Sequence, residues 1–97
     1  MTVNYETYTA DKQAFIRKHG NGDWKVETSA MDEYGSYHKE YIFDDGAIFY
    51  EVMRPEYFKQ EVEIANTMVK VEVEVKMFST EYWSSDDAKS KKYYEKF

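Results

Sequence analysis

Hydrophobic and polar residues alternate most regularly in the segment 68–78. Valine or methionine occupies every second position from Val69 to Met77, and lysine or glutamate lies between them. A period of two places the apolar side chains on one face of a β-strand and leaves no helical alternative. The segment 58–64 repeats the alternation, and Ala65-Asn66-Thr67 connects the two segments as a turn. The pattern therefore predicts an antiparallel hairpin.

Further strands are predicted by short runs of β-branched and aromatic residues, which cover 2–8, 24–28, 37–43 and 47–53. Asp44-Asp45-Gly46 joins the last two runs, and aspartate followed by glycine in this setting is a strong hairpin signal. Arg54-Pro55 predicts a break in the pattern, because proline has no amide hydrogen to donate to a ladder.

Two helices are predicted, one near each end of the chain. Thr9 is the expected cap of the first, with Asp11 in its first turn and Gly20 just past its end. Ser84 or Ser85 is the expected cap of the second. In this second helix the acids come first and the lysines last, as the helix dipole favours, and Tyr93, Tyr94 and Phe97 would dock it on the sheet. The predicted fold class is α+β, with an antiparallel meander of about five strands and a helix near each end, in a single compact domain over 1–97.

Composition narrows the class of protein. The 97 residues include 10 Tyr, 6 Phe and 2 Trp, an apolar content typical of a globular chain. With 0 Cys there is no disulfide framework and no thiolate metal site. No apolar run approaches the roughly 18 residues of a membrane span, and the first residues lack the pattern of a secretory signal. We therefore expect a cytoplasmic protein without membrane contact, located in the host cytoplasm if it is phage-encoded.

Candidate catalytic chemistry is sparse. His19 and His38 are the two histidines, and they are expected at a helix end and in a strand, without a nucleophile at a recognisable spacing. Asp44-Asp45-Gly46 lacks the alternating acids and closing glutamate of a calcium loop, and no glycine-rich phosphate loop is present. The sequence predicts no enzyme activity, no metal and no cofactor.

The negative charge is concentrated in the middle of the chain. The net charge is −6, and residues 23–63 contain eleven acidic side chains against four basic ones. Direct nucleic-acid binding is disfavoured, because its main requirement is a basic groove. On a strand, same-face residues two apart lie roughly 6.6 Å from each other. Glu61 with Glu63, and Glu72 with Glu74, are therefore expected to form two carboxylate rows that could stand in for phosphates.

Tyrosine beside carboxylate suits a partner rich in arginine and lysine. The candidate partner-binding residues are Asp32, Glu33, Glu40, Asp44, Asp45, Glu51, Glu61, Glu63, Glu72, Glu74, Tyr37 and Tyr41.

In size, acidity, lack of cysteine and absence of catalytic motifs, the whole chain resembles the small phage anti-CRISPR proteins that act as DNA mimics. The resemblance implies stoichiometric inhibition. Such a protein would occupy the basic DNA-binding surface of a bacterial nucleic-acid-handling protein or CRISPR surveillance complex. The lysine-rich segment 89–96 departs from a uniformly acidic mimic.

Two other functions are compatible with the same residues. One is a protein–protein interaction or structural subunit, including a homodimer, that binds through exposed tyrosines or an edge strand. The other is a small-ligand binder with a pocket between helix and sheet. The first of these predicts salt-insensitive association, whereas a DNA mimic loses affinity as salt rises. The oligomeric state is left open by the sequence.

Overall fold

The computed structural model describes residues 1–66 and 69–96, which form one helix and five strands. The helix α1 spans Tyr5–His19, and the strands are β1 Trp24–Thr28, β2 Tyr37–Phe43, β3 Ile48–Glu63, β4 Lys70–Ser84 and β5 Lys91–Lys96. All strand pairs are antiparallel, and the sheet order follows the chain order from β1 to β5. The α+β class and the five-stranded meander are confirmed.

The first helix begins earlier than predicted. Asn4, rather than Thr9, is its N-cap, and its side chain accepts a hydrogen bond of 2.8 Å from the Thr7 amide. The predicted strand over 2–8 is wrong, since only Thr2 makes a bridge, to Lys92 of β5. Local β-propensity is overridden here because a helical start buries an aromatic ring, as the next contacts show.

The core lies between α1 and one face of the sheet. Tyr8 packs on Tyr93 with ring centroids 4.6 Å apart, and Phe15 packs on Phe43 at 5.4 Å. The buried cluster consists of Tyr8, Phe15, Tyr41, Phe43, Ala47, Phe49, Tyr82 and Tyr93. Seven of these eight are tyrosines or phenylalanines at the interface of one short helix with the sheet, so the aromatic residues make the core from little chain.

The predicted second helix is wrong, because residues 91–96 form the strand β5. Ser84 does accept a hydrogen bond of 3.2 Å from the Asp87 amide, as a helix cap would. The chain then turns back instead, and β5 pairs with β4 from Met77 to Tyr82. Joining a sheet edge satisfies its backbone groups and buries Tyr93 on α1, whereas a short lone helix is only marginally stable. Phe97, expected to dock the second helix, lies outside the described residues.

Pro55 does not break the sheet, contrary to the prediction. β3 runs through it without interruption, and Pro55 pairs with Phe78 of β4. The last residue of β3 with a partner in β2 is Met53, which pairs with Tyr37. Beyond that point β3 has a neighbour on one side only, and proline is tolerated at such an edge.

The molecule is elongated. Its extents are 62 × 28 × 19 Å and its radius of gyration is 17.7 Å, whereas a compact chain of this length has about 12.5 Å. Among the described residues, no helix is long and apolar enough to cross a membrane. The elongation comes from the distal halves of β3 and β4, which extend past their neighbours.

Candidate functional site

The most distinctive surface is a two-stranded arm formed by Tyr57–Glu63 and Lys70–Lys76. β2 begins opposite Met53 and β5 ends opposite Met77, so neither flanks these residues. The register of β3 with β4 has no bulge along its whole length. The turn includes Asn66 at φ 66°, a left-handed conformation that asparagine tolerates. The arm thus continues the central hairpin away from the body.

The helix is too short to cover this arm. Its 15 residues span about 22 Å at the usual helical rise, whereas the 16 residues of β3 extend for about 53 Å. Within residues 1–66 and 69–96, no second helix is present to cover the remainder.

One face of the arm is apolar, and we call it the valine face. It consists of Phe58, Gln60, Val62, Val71, Val73 and Val75, which the register places on the same side of the hairpin. Phe58, Val62, Val71 and Val73 are 41%, 42%, 39% and 37% exposed. By alternation this face is opposite the one that α1 covers. Exposed apolar patches are a common feature of interaction surfaces.

The other face of the arm is charged, and we call it the charged face. Its residues are Tyr57, Lys59, Glu61, Glu63, Lys70, Glu72, Glu74 and Lys76. Glu61 and Glu72 are direct cross-strand partners, but Glu63 is opposite Lys70 and Glu74 is opposite Lys59, so the two carboxylate rows meet at one pair only. Lys59 Nζ lies 3.7 Å from the Glu72 carboxylate. The three lysines nearly balance the four glutamates, so the charged face is less acidic than phosphate mimicry implies.

The other candidate acids do not join the arm in one surface. Asp44 and Asp45 occupy the β2–β3 turn, whereas Asp32 and Glu33 lie in the β1–β2 connection, so the two pairs are at opposite ends of β2. Glu40, a partner of Tyr50 on β3, is half-buried.

Two of the candidates are buried and unavailable to a partner. Glu51 is 3% exposed and Tyr41 is 7% exposed. Tyr37 is half-buried against Phe78, with ring centroids 6.4 Å apart. The alternation of β3 assigns Glu51 to one face of the sheet, but only the position of α1 makes that face the interior.

A buried polar cluster under the helix went unrecognised in the sequence. Lys12 Nζ lies 2.7 Å from Glu51 Oε1 and donates hydrogen bonds to the hydroxyls of Tyr41 (2.6 Å) and Tyr8 (3.2 Å). Glu51 Oε1 accepts no well-aligned hydrogen bond, so the ion pair with Lys12 is what offsets the cost of burying its charge. Burial lowers the pKa of Lys12, but Glu51 and Tyr41 outweigh burial and raise it. Burial, with the Glu51 carboxylate, raises the pKa of Tyr8.

His19 joins three elements at the end of the molecule opposite the arm. Its Nδ1 lies 2.6 Å from the Asp45 carboxylate and its Nε2 lies 2.7 Å from the Asp86 carboxylate. Hydrogen bonding to Asp86, and then to Asp45, raises the pKa of His19 and favours the protonated ring. His19 ends α1 as predicted, and its partners are in the β2–β3 turn and the segment after β4. Both ring nitrogens are used structurally, so this histidine is not poised as a catalytic base.

A shallow groove of about 230 Å³ lies between α1 and the end of the sheet. Its charged groups already bind each other. Asp11 accepts hydrogen bonds from the Tyr82 hydroxyl at 2.7 Å and from Lys91 Nζ at 3.0 Å, and Lys18 Nζ lies 3.1 Å from the Asp86 carboxylate. The groove is smaller than typical ligand sites of about 300–1,000 Å³.

In the part of the chain that the structure describes, no three histidine or carboxylate side chains are grouped as a metal site. Comparison with family models, with curated proteins and with solved structures found no match.

Proposed function

We propose that this chain is a non-enzymatic protein-interaction module that acts in the cytoplasm and binds through its arm. The observation that carries this proposal is the valine face, on which four large apolar side chains are 37–42% exposed. Apolar surface left in water is unfavourable, at about 25 cal/mol per Å². Within the described residues no element packs over it, so a partner protein is the natural means of covering it.

A second candidate function is supported by the charged face. Glu61 is directly opposite Glu72, and like charges at such a position destabilise a hairpin. A cationic partner would relieve this repulsion. The second candidate is therefore an inhibitor that occupies the basic DNA-binding surface of a nucleic-acid-handling protein, such as a CRISPR surveillance complex.

A tagged pull-down from bacterial lysate, with bound proteins identified by mass spectrometry, tests both candidates. The baits are the wild type, a valine-face variant (Val71→Thr with Val73→Thr) and a matched charged-face variant (Glu72→Thr with Glu74→Thr). All four positions lie on the same strand, and threonine keeps the β-branched character that strands favour.

We expect a specific partner that stays bound at high salt and is lost only with the valine-face variant, because apolar contacts are not screened by ions. A partner that elutes as salt rises and is lost with the charged-face variant favours the second candidate. Reversing Glu61, Glu63, Glu72 and Glu74 to lysine should then abolish binding. Equal recovery of the same partners by all baits would contradict both.

A further inference from the structure

We infer that the valine face binds the same face of a second copy of this chain, in a two-fold dimer of antiparallel arms. The inference rests on the proposed function, since it names the partner of the arm. Two-fold symmetry constrains this dimer, because both copies use the same surface patch. A residue that lies near the axis meets the identical residue of the other copy.

The chemistry of the valine face suits its own copy. Its only polar side chain is Gln60, and it has no charged one. An amide both donates and accepts hydrogen bonds, so Gln60 near a two-fold axis can pair with Gln60 of the other copy. A charged residue at the same place would repel its symmetry mate.

Charge elsewhere on the molecule disfavours other modes of self-association. The net charge is −6, so most pairs of surfaces bring like charges together. The valine face is the large neutral surface, and an arm contact keeps the two acidic bodies apart at opposite ends of the dimer. The 62 Å length of each protomer provides that separation.

The dimensions of the arm predict a modest affinity. Seven residues on each of two strands give a face about 23 Å long and about 10 Å wide. Two such faces packed about 10 Å apart, as in a sandwich, bury less than the roughly 800 Å² per partner of a standard interface. We therefore expect a reversible dimer with a dissociation constant in the micromolar range.

Sedimentation velocity on the purified full chain, from about 1 to 500 μM, tests the inference. We expect the wild type to shift from monomer to dimer over this range and to keep the dimer in 1 M salt, because salt does not screen apolar contacts. The Val71→Thr with Val73→Thr variant should have a dissociation constant at least about tenfold higher than that of the wild type, because it places hydroxyls in an apolar contact. The Glu72→Thr with Glu74→Thr variant should dimerise at least as well as the wild type.

Position 60 provides a test that is specific to a second copy. Gln60→Glu and Gln60→Lys should each weaken self-association, because identical charges then face each other across the axis. An equimolar mixture of the two variants should restore association as a mixed dimer. Far-UV circular dichroism of each variant checks that the sheet is intact.

The inference is overturned by a wild type that stays monomeric at 500 μM, or by a mixture that associates no better than its components. If a lysate partner is nevertheless lost only with the valine-face variant, the proposed function stands and the second copy is excluded. If neither self-association nor such a partner is found, both proposals are wrong.

Discussion

Removing the Lys12 ammonium should destabilise the protein far more than removing the Glu51 carboxylate. The Lys12 side chain is 24% exposed and the Glu51 side chain is 3% exposed. Lys12→Met therefore leaves a buried carboxylate without its counter-ion, a change that usually destabilises a protein by about 3–5 kcal/mol. Glu51→Gln leaves an ammonium that can turn its tip to water, so we expect about 1–2 kcal/mol.

Urea unfolding followed by circular dichroism and tryptophan fluorescence measures both variants. In a thermal melt of a domain of this size, a loss of about 3 kcal/mol of stability lowers the melting temperature by roughly 12 °C or more. Combining Lys12→Met with Glu51→Leu should restore stability to within about 1 kcal/mol of the wild type, since no buried charge remains.

Lys25 and Glu27 provide a matched control on the surface. Their charged atoms are 3.0 Å apart, but the side chains are 66% and 58% exposed. Lys25→Met should therefore change stability by less than about 1 kcal/mol. The reasoning fails if Lys12→Met has no larger effect than Lys25→Met, or if the effects of the two buried substitutions simply add in the double variant.

Three further outcomes test other parts of the fold. Asp86 and Asp45 raise the pKa of His19. The protonated His19 ring therefore stabilises the folded protein fully below the ordinary histidine pKa of about 6.5, and this stabilisation is lost as pH rises through the raised pKa. Thermal melts from pH 6 to pH 9 should show a decline that His19→Gln abolishes. Asn4→Ala should destabilise the helix by about 1 kcal/mol through loss of its cap, whereas an unchanged melting temperature would contradict the assigned helix start. Gly46 has a φ of +88° and no atom within 4 Å of an added Cβ, so Gly46→Ala should destabilise by about 1–2 kcal/mol through backbone strain alone. Urea unfolding of that variant is the check.

The strands whose residues alternate were predictable because alternation is a local property. β2 was predicted over 37–43 and is observed at Tyr37–Phe43, and the Asp44-Asp45-Gly46 turn has the positive φ at Gly46 that its hairpin requires. The N-cap of α1 and the strand β5 were missed, because both depend on the packing of Tyr8 against Tyr93. Those two residues are far apart in sequence, and only the tertiary structure joins them.

The candidate site was predictable only in part. The sequence predicted two carboxylate rows on adjacent strands, and the register of the hairpin brings them together only at Glu61 and Glu72. It could not show that Glu51 would be buried with Lys12, because charge counting treats every carboxylate as exposed. The valines were predicted to lie on one face of a strand, but alternation alone does not say which face of a sheet is exposed.

By itself, the sequence determined that β4 has one apolar face and one charged face, because side chains alternate along any strand. Only the tertiary structure decided which of these faces meets water. α1 is about 22 Å long and β3 is about 53 Å long, and the segment expected to form a second helix became an edge strand. The one helix packs on the side of the sheet that continues as the charged face, and it covers only the body. Within residues 1–66 and 69–96 no helix lies on the opposite side, so the valine face is left at the surface.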